Sequence, residues 1–146
     1  MSRYYDTGVL LKLYTEEPAS DAVRAHVVRR GQPLLFTSLH LSECVSALQL
    51  KAFCGECTAA DAAAAALDVE ADLASGVLRR AGIDWEAAWG HCRILSAAHT
   101  AEAGCRTLDA LHVACALQLG CREFVTSDAR QSKLAAKAGL RLPKIA

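Results

Sequence analysis

The chain has 146 residues and no net charge, because 16 lysines and arginines balance 16 aspartates and glutamates. This balance excludes a protein that coats nucleic acid through bulk positive charge, although a few local basic residues can still hold one strand. Hydrophobic residues make up 53% of the chain, yet no apolar run approaches the roughly 20 residues that a membrane-spanning helix needs. With no linker-like stretch and no signal-peptide layout at Met1–Arg3, the sequence predicts one soluble, cytoplasmic domain over residues 1–146.

The strand signals are short apolar segments with helical patterns between them. The predicted strands are Arg3–Tyr5, Leu34–Thr37, Gly76–Leu78 and Glu123–Thr126. Strands that alternate with helices predict an α/β fold, in which helices cover both faces of a parallel sheet. Ligands of such sheets bind outside the carboxyl ends of the strands, and the sequence places Asp6 and Asp128 there.

The helix boundaries carry recognisable capping signals. A helix after Pro18 is predicted to end at Gly31, and Ser38 is the predicted N-cap of the next helix. Thr58 and Asp61 have the spacing of a capping box in front of an alanine-rich helix. Two more helical patterns follow, one beginning near Trp85 and one covering residues 108–117.

The seven cysteines are expected to be reduced thiols, because nothing in the sequence indicates export. Cys44 and Cys115 fall on helical apolar positions and are predicted to be small core residues. Cys54 and Cys57 are spaced like half a zinc site, but no second pair of ligands follows at the required spacing. The sequence therefore favours neither zinc binding nor redox chemistry at this pair.

Four acids interrupt apolar patterns at a strand end or near a helix start: Asp6, Glu43, Asp109 and Asp128. One such acid alone is explained as a helix cap or as a partner of the helix dipole. Four on the same side of a parallel sheet repel one another unless a cation binds between them. Carboxylate oxygens select Mg²⁺ or Mn²⁺ rather than zinc, and a carboxylate-bound metal suits phosphodiester hydrolysis.

The segments around these acids resemble the PIN-domain family, and within it the VapC-type ribonuclease toxins of toxin–antitoxin pairs. The segments are residues 6–14, 37–43, 107–117 and 126–131. The resemblance implies a three-layer α/β/α fold with a central parallel sheet and Mg²⁺- or Mn²⁺-dependent cleavage of single-stranded or loop RNA. It also implies a homodimer and a cognate antitoxin protein whose tail blocks the acidic pocket.

The resemblance also assigns roles to individual residues. The positions that match the metal-site and catalytic acids of the family are Asp6, Glu43, Asp109 and Asp128. Thr126 matches a hydroxyl residue that supports the site. Gly8 stands where the family often has a serine, so a hydroxyl that would steady Asp6 or a metal-bound water is missing.

Several side chains near the acids invite other roles. His40 and His112 are candidate general bases, although a metal-bound water needs no histidine and histidines on helix faces are usually packing residues. Lys12 is a candidate phosphate contact, but a solvated lysine is the simpler interpretation.

Three other classes of protein compete with a nuclease. A haloacid-dehalogenase-type phosphatase needs a second aspartate where this chain has Gly8. A phospho-receiver domain needs paired acids at the first strand, whereas Glu43 and Asp109 fall within helices. A PIN-like binding module that has lost catalysis stays open, because the acids are intact but Gly8 replaces the serine.

Overall fold

The computed structural model describes residues 2–145 and falls into two compact units. The terminal unit comprises the described residues of Met1–Asp6 and Gly82–Ala146, and the inner unit comprises Thr7–Ala81. In chain order the strands are β1 (Arg3–Tyr5), β2 (Leu34–Phe36), β3 (Leu78–Arg80) and β4 (Glu123–Val125). The helices are α1 (Thr7–Leu11), α2 (Ser20–Arg30), α3 (Ser38–Phe53), α4 (Ala59–Ser75), α5 (Trp85–Ala103), α6 (Thr107–Gln118) and α7 (Ala129–Lys137).

In the terminal unit, β1 and β4 pair in parallel with Tyr4 opposite Phe124. Both side chains are fully buried, and their rings stack with centroids 5.4 Å apart. Helix α6 is buried from Ala110 to Ala116, where most side chains are small enough for close packing. This core holds the carboxyl ends of β1 and β4 next to each other.

In the inner unit, β2 and β3 pair in parallel with Leu34 opposite Leu78, and both side chains are buried. The predicted end of α2 is confirmed, because Gly31 caps it in the left-handed conformation, with φ of 60°. The predicted capping box of α4 is also confirmed, with Thr58 and Asp61 each accepting a hydrogen bond from the other's backbone N–H.

The start of α3 corrects the sequence prediction, since its N-cap is Thr37 and not Ser38. The hydroxyl of Thr37 accepts a hydrogen bond from the backbone N–H of His40 (3.3 Å), and Nδ1 of His40 accepts one from the backbone N–H of Thr37 (2.9 Å). Histidine here takes the place that Glu or Gln holds in an ordinary capping box. Because His40 is fully buried and its Nδ1 is engaged at the helix end, the structure favours a structural role over a general base.

The third strand also lies later than predicted, at Leu78–Arg80 and not at Gly76–Leu78. Gly76 is the C-cap of α4 and has φ of 87°, a left-handed conformation that ends the helix and that glycine adopts without strain. The strand therefore begins only after the chain has left this turn.

The parallel pairing and the alternation of strands with helices confirm the predicted α/β class.

Cys44 and Cys115 are buried as predicted, and burial raises the pKa of the Cys115 thiol to about 11. None of the seven cysteines, all of which lie within residues 2–145, forms a disulfide. Across residues 2–145, no helix combines the length and apolar character needed to cross a membrane. The assignment of residues 1–146 to a single domain stays a prediction.

Candidate active site

Asp6 follows directly after β1 in the terminal unit. Its backbone N–H donates to the carbonyl of Val125 (2.9 Å), which extends the pairing of β1 with β4 by one residue. The side chain of Asp6 is 16% exposed, so the carboxylate is largely removed from water without being sealed off. The carboxylate therefore lies at the carboxyl ends of both strands, where the sequence placed it.

A buried aromatic pair lies on one side of the Asp6 carboxylate. The hydroxyl of Tyr4 lies 2.7 Å from Nδ1 of His112, and Nε2 of His112 lies 3.8 Å from Oδ1 of Asp6. When the phenol donates to Nδ1, the ring proton lies on Nε2 and faces the carboxylate, which is the favourable arrangement of charge. His112 is only 1% exposed, which favours a buried electrostatic partner of Asp6 over a general base.

Asp109 lies in the first turn of α6 and is half-buried. Burial raises the pKa of this carboxyl, and the negative charges of Asp128 and Asp6 raise it further. A hydrogen bond from the backbone of Arg106 and the nearby His112 act in the opposite direction. Asp109, Asp6 and Asp128 therefore share one electrostatic environment within the terminal unit.

Asp128 is exposed and serves as the N-cap of α7. Its Oδ1 accepts hydrogen bonds from the backbone N–H groups of Arg130 (2.8 Å) and Gln131 (3.1 Å). The backbone N–H of Asp128 in turn donates to the hydroxyl of Thr126 (3.0 Å). A capping role does not exclude metal binding, because a carboxylate has two oxygens and several lone pairs.

Gln131 is a site residue that the sequence prediction missed. It lies in the first turn of α7, is fully buried, and links side chains and backbone around the three acids. Its Nε2 donates to Oδ1 of Asp6 (3.2 Å) and to the carbonyl of Asp109 (3.3 Å). One feature of the sequence could have identified it: Gln131 lies on the same helical face as Leu134 and Ala135, and a polar residue on an apolar face needs buried hydrogen-bond partners.

Glu43 lies in the inner unit, on α3, and is half-buried. The hydroxyl of Thr7 donates to its Oε1 (2.7 Å). Gly8, the position where the serine is missing, lies on α1, and its carbonyl accepts a hydrogen bond from Nζ of Lys12 (3.3 Å). Participation of Glu43 with the other three acids stays a prediction.

The donor set of the terminal unit fits a hard divalent cation, because Asp6, Asp109 and Asp128 all offer carboxylate oxygens. Within residues 2–145, however, no three His, Cys, Asp or Glu side chains are already grouped closely enough to hold a metal ion. The charges of Asp128 and Asp6 nevertheless act on Asp109, whose pKa they raise after burial has done so.

Comparison with known proteins gives a match to one family. The sequence model of the PIN domain matches residues 3–137, from the first residue of β1 to the last residue of α7. No curated protein matches the chain. The matched range takes in all four predicted acids, together with Thr126 and Gln131.

Proposed function

The chain belongs to the PIN domain family, whose members are generally metal-dependent nucleases, and we propose that it is a Mg²⁺- or Mn²⁺-dependent endoribonuclease. One observation carries this proposal: Gln131 is hydrogen-bonded to all three acids of the terminal unit. It contacts the carboxylates of Asp6 and Asp128 and the backbone carbonyl of Asp109. Two carboxylates and the backbone of a third acid in one hydrogen-bonded network, beside the ends of two parallel strands, suit a site that binds a divalent cation.

The residues that would hold the metal are the four acids Asp6, Glu43, Asp109 and Asp128, with Glu43 included on the strength of its sequence motif. When bound, Mg²⁺ or Mn²⁺ supplies a lowered pKa for an attacking water and positive charge for the phosphate oxygens. The protein itself holds Asp6 through a hydrogen bond from Gln131, with His112 nearby, and places Asp109 in a partly desolvated position.

Arg130 is a candidate contact for an RNA phosphate. It is exposed on the first turn of α7, and its charge lowers the pKa of the Cys105 thiol, which burial and the charges of Asp109 and Asp128 raise. The guanidinium therefore lies in the same surroundings as the acids. A cation beside a metal site binds the phosphate backbone of a single strand without base specificity.

We further propose that the substrate is single-stranded or loop RNA and that the protein acts in the cytoplasm as the toxin of a toxin–antitoxin pair. This narrower assignment depends on the resemblance of the four motifs to the VapC-type toxins. It predicts a homodimer and a separate antitoxin that closes the acidic pocket. Trp89, Ile94 and Leu108 are 47%, 61% and 43% exposed, and large exposed apolar side chains fit surfaces that another chain covers.

The nuclease proposal is tested by incubating a panel of single-stranded and hairpin RNAs with the protein and Mn²⁺. Cleavage is expected with the metal and should stop when EDTA is added, because phosphodiester hydrolysis here requires the cation. Asp6→Asn should lower cleavage at least ~100-fold, as Asp109→Asn should, while keeping the acceptor oxygen for Gln131. Cleavage that EDTA leaves unchanged would contradict the mechanism.

Light scattering at micromolar concentration tests the proposed homodimer. A monomer, with no protein partner recovered from native lysate, would contradict the proposed assembly.

The alternative function is a PIN-like binding module with weak or no catalysis, and Gly8 is the observation that favours it. The Gly8→Ser variant restores the hydroxyl that the family often has at this position. If the parent binds RNA without cleaving it and Gly8→Ser cleaves, the missing hydroxyl explains the loss. If both variants cleave at similar rates with Mn²⁺, the binding-module alternative is wrong.

A further inference from the structure

Gln131 has no exposed surface, although its side chain carries a polar amide. It shares a face of α7 with Leu134 and Ala135, where an apolar residue of similar size would avoid the cost of burying polar atoms. A buried amide is tolerated when its hydrogen-bonding groups have partners. The partners of Gln131 therefore indicate what the residue is for.

All three described side-chain bonds of Gln131 go to groups around the acids. Nε2 donates to Oδ1 of Asp6 (3.2 Å) and to the carbonyl of Asp109 (3.3 Å), and Oε1 accepts from the hydroxyl of Thr126 (2.6 Å). Thr126 accepts from the backbone N–H of Asp128, so its own proton is available for Gln131. The reversed amide would place Oε1 against two acceptors, and the network therefore fixes the orientation of Gln131.

We propose that Gln131 is a positioning residue that holds the carboxylate of Asp6 in the orientation needed for a divalent cation. This inference rests on the proposed metal-dependent function. A neutral amide suits the task, because it donates to one carboxylate oxygen without cancelling the charge that attracts the cation. A lysine or arginine in its place would compete with the cation for Asp6.

The same network assigns a physical role to Thr126. The threonine hydroxyl accepts from Asp128 and donates to Gln131, and Gln131 donates to Asp6. Thr126 thus supports the site by locking the amide of Gln131. Groups that hydrogen-bond to metal ligands typically change metal affinity by about 10- to 100-fold when they are removed.

The test compares Gln131→Met with Gln118→Met. Methionine keeps the length of the side chain and removes every amide hydrogen bond. Gln118 is a matched control in the terminal unit, because its amide accepts from the backbone N–H of Asp84 (2.8 Å) and donates to its carbonyl (3.0 Å), in an exposed position. Two quantities are measured for each variant: the Mn²⁺ concentration that gives half of the maximal rise in Tm without RNA, and the Mn²⁺ midpoint of RNA cleavage.

For Gln131→Met, both Mn²⁺ midpoints should rise at least ~10-fold, and cleavage should recover substantially at saturating Mn²⁺. Gln118→Met should keep the parental midpoints. A merely structural role for Gln131 would lower the metal-free Tm and leave both midpoints unchanged, and that result would overturn the inference.

A second pair of variants covers the case in which Gln131→Met fails to fold. Thr126→Val removes the donor to Oε1 of Gln131 and should raise the Mn²⁺ midpoints in the same direction, whereas Thr126→Ser keeps the hydroxyl and should retain the parental values. Equal Mn²⁺ midpoints for Thr126→Val and Thr126→Ser would overturn the inference about Gln131 and leave the proposed metal-dependent function standing. A parent protein that shows neither a Mn²⁺-induced rise in Tm nor cleavage overturns the proposed function, and the role of Gln131 with it.

Discussion

The strand ends of the two units differ in how they use polar groups. In the inner unit, β2 leads into Thr37, whose backbone and hydroxyl pair with the backbone and ring of His40. In the terminal unit, β1 leads into Asp6 and β4 leads towards Asp128, and the charges of both carboxylates raise the pKa of Asp109. The inner unit therefore uses neutral groups that satisfy one another, whereas the terminal unit collects like charges.

The comparison separates the stability of the fold from its chemistry. A capping box contributes to folding and offers nothing to a substrate, because its donors and acceptors are already paired. Crowded carboxylates make the opposite contribution, since they oppose folding in the absence of a cation and bind one when it is present. Substitutions at the two strand ends should consequently have opposite effects on stability and cleavage.

The largest effect is expected from Asp109→Asn, which removes one carboxylate from the terminal unit and keeps the shape of the side chain. Cleavage of single-stranded RNA with Mn²⁺ should fall at least ~100-fold, the scale on which loss of electrostatic stabilisation is felt. The metal-free Tm should stay the same or rise, because a source of repulsion is gone. The measurements are single-turnover cleavage rates and thermal melts in EDTA.

The control for this substitution is Asp21→Asn. Asp21 lies on α2 of the inner unit with its side chain 99% exposed, so its loss should leave the cleavage rate at the parental value. If the cleavage rate of Asp109→Asn lies within a few-fold of the rate of this control, Asp109 is not a catalytic residue. A clear fall in the metal-free Tm would instead identify it as a structural acid.

A smaller and opposite effect is expected from Thr37→Ala at the strand end of the inner unit. Loss of the N-cap hydroxyl should lower the free energy of unfolding by about 1 kcal/mol. Cleavage measured well below the Tm should stay at the parental rate, because the groups of the capping box pair with one another and neither Thr37 nor His40 is a proposed metal ligand. Urea unfolding gives the stability change, and a large fall in cleavage without a change in stability would contradict this division between the units.

The smallest effect concerns pH. The folded-state pKa of Asp109 is raised, so the fold retains this proton to a higher pH than the unfolded chain does. Its contribution to stability is fully present below the unfolded pKa, about 4, and is lost as pH rises through the folded pKa. In EDTA, the Tm of the parent should therefore fall relative to that of Asp109→Asn across this range. If the difference in Tm between the parent and Asp109→Asn stays constant as the pH changes, Asp109 does not titrate as described.

The sequence predicted the elements whose determinants are local. Strand β1 was found at the predicted residues, Arg3–Tyr5, and the α4 capping box followed from Thr58 and Asp61. The cap of α3 was missed by one residue, because a histidine replaces the Glu or Gln that marks the usual capping box. The third strand was placed too early, because Gly76 belongs to the end of α4.

The candidate site divides in the same way. The acids could be identified because each interrupts an apolar pattern; Asp6 follows β1 directly, whereas Asp128 is the N-cap of α7, three residues beyond the end of β4. The link from Gln131 to Asp6 joins residues 125 positions apart, so no local pattern contains it. The sequence shows which charged residues interrupt apolar segments, but it does not show which distant neutral residue forms hydrogen bonds with them.

The pairing of β4 has a consequence for self-association. The backbone N–H of Phe124 donates to the carbonyl of Arg141 (2.8 Å), while the carbonyl of Val125 accepts from Asp6 (2.9 Å). Adjacent residues of a strand direct these groups to opposite edges, so the segment at Arg141 covers the edge of β4 that faces away from β1. An uncovered edge is a template for another chain's strand. A chain shortened to the family-matched range, which stops at Lys137, would lose this cover and gain a route to edge-to-edge aggregation.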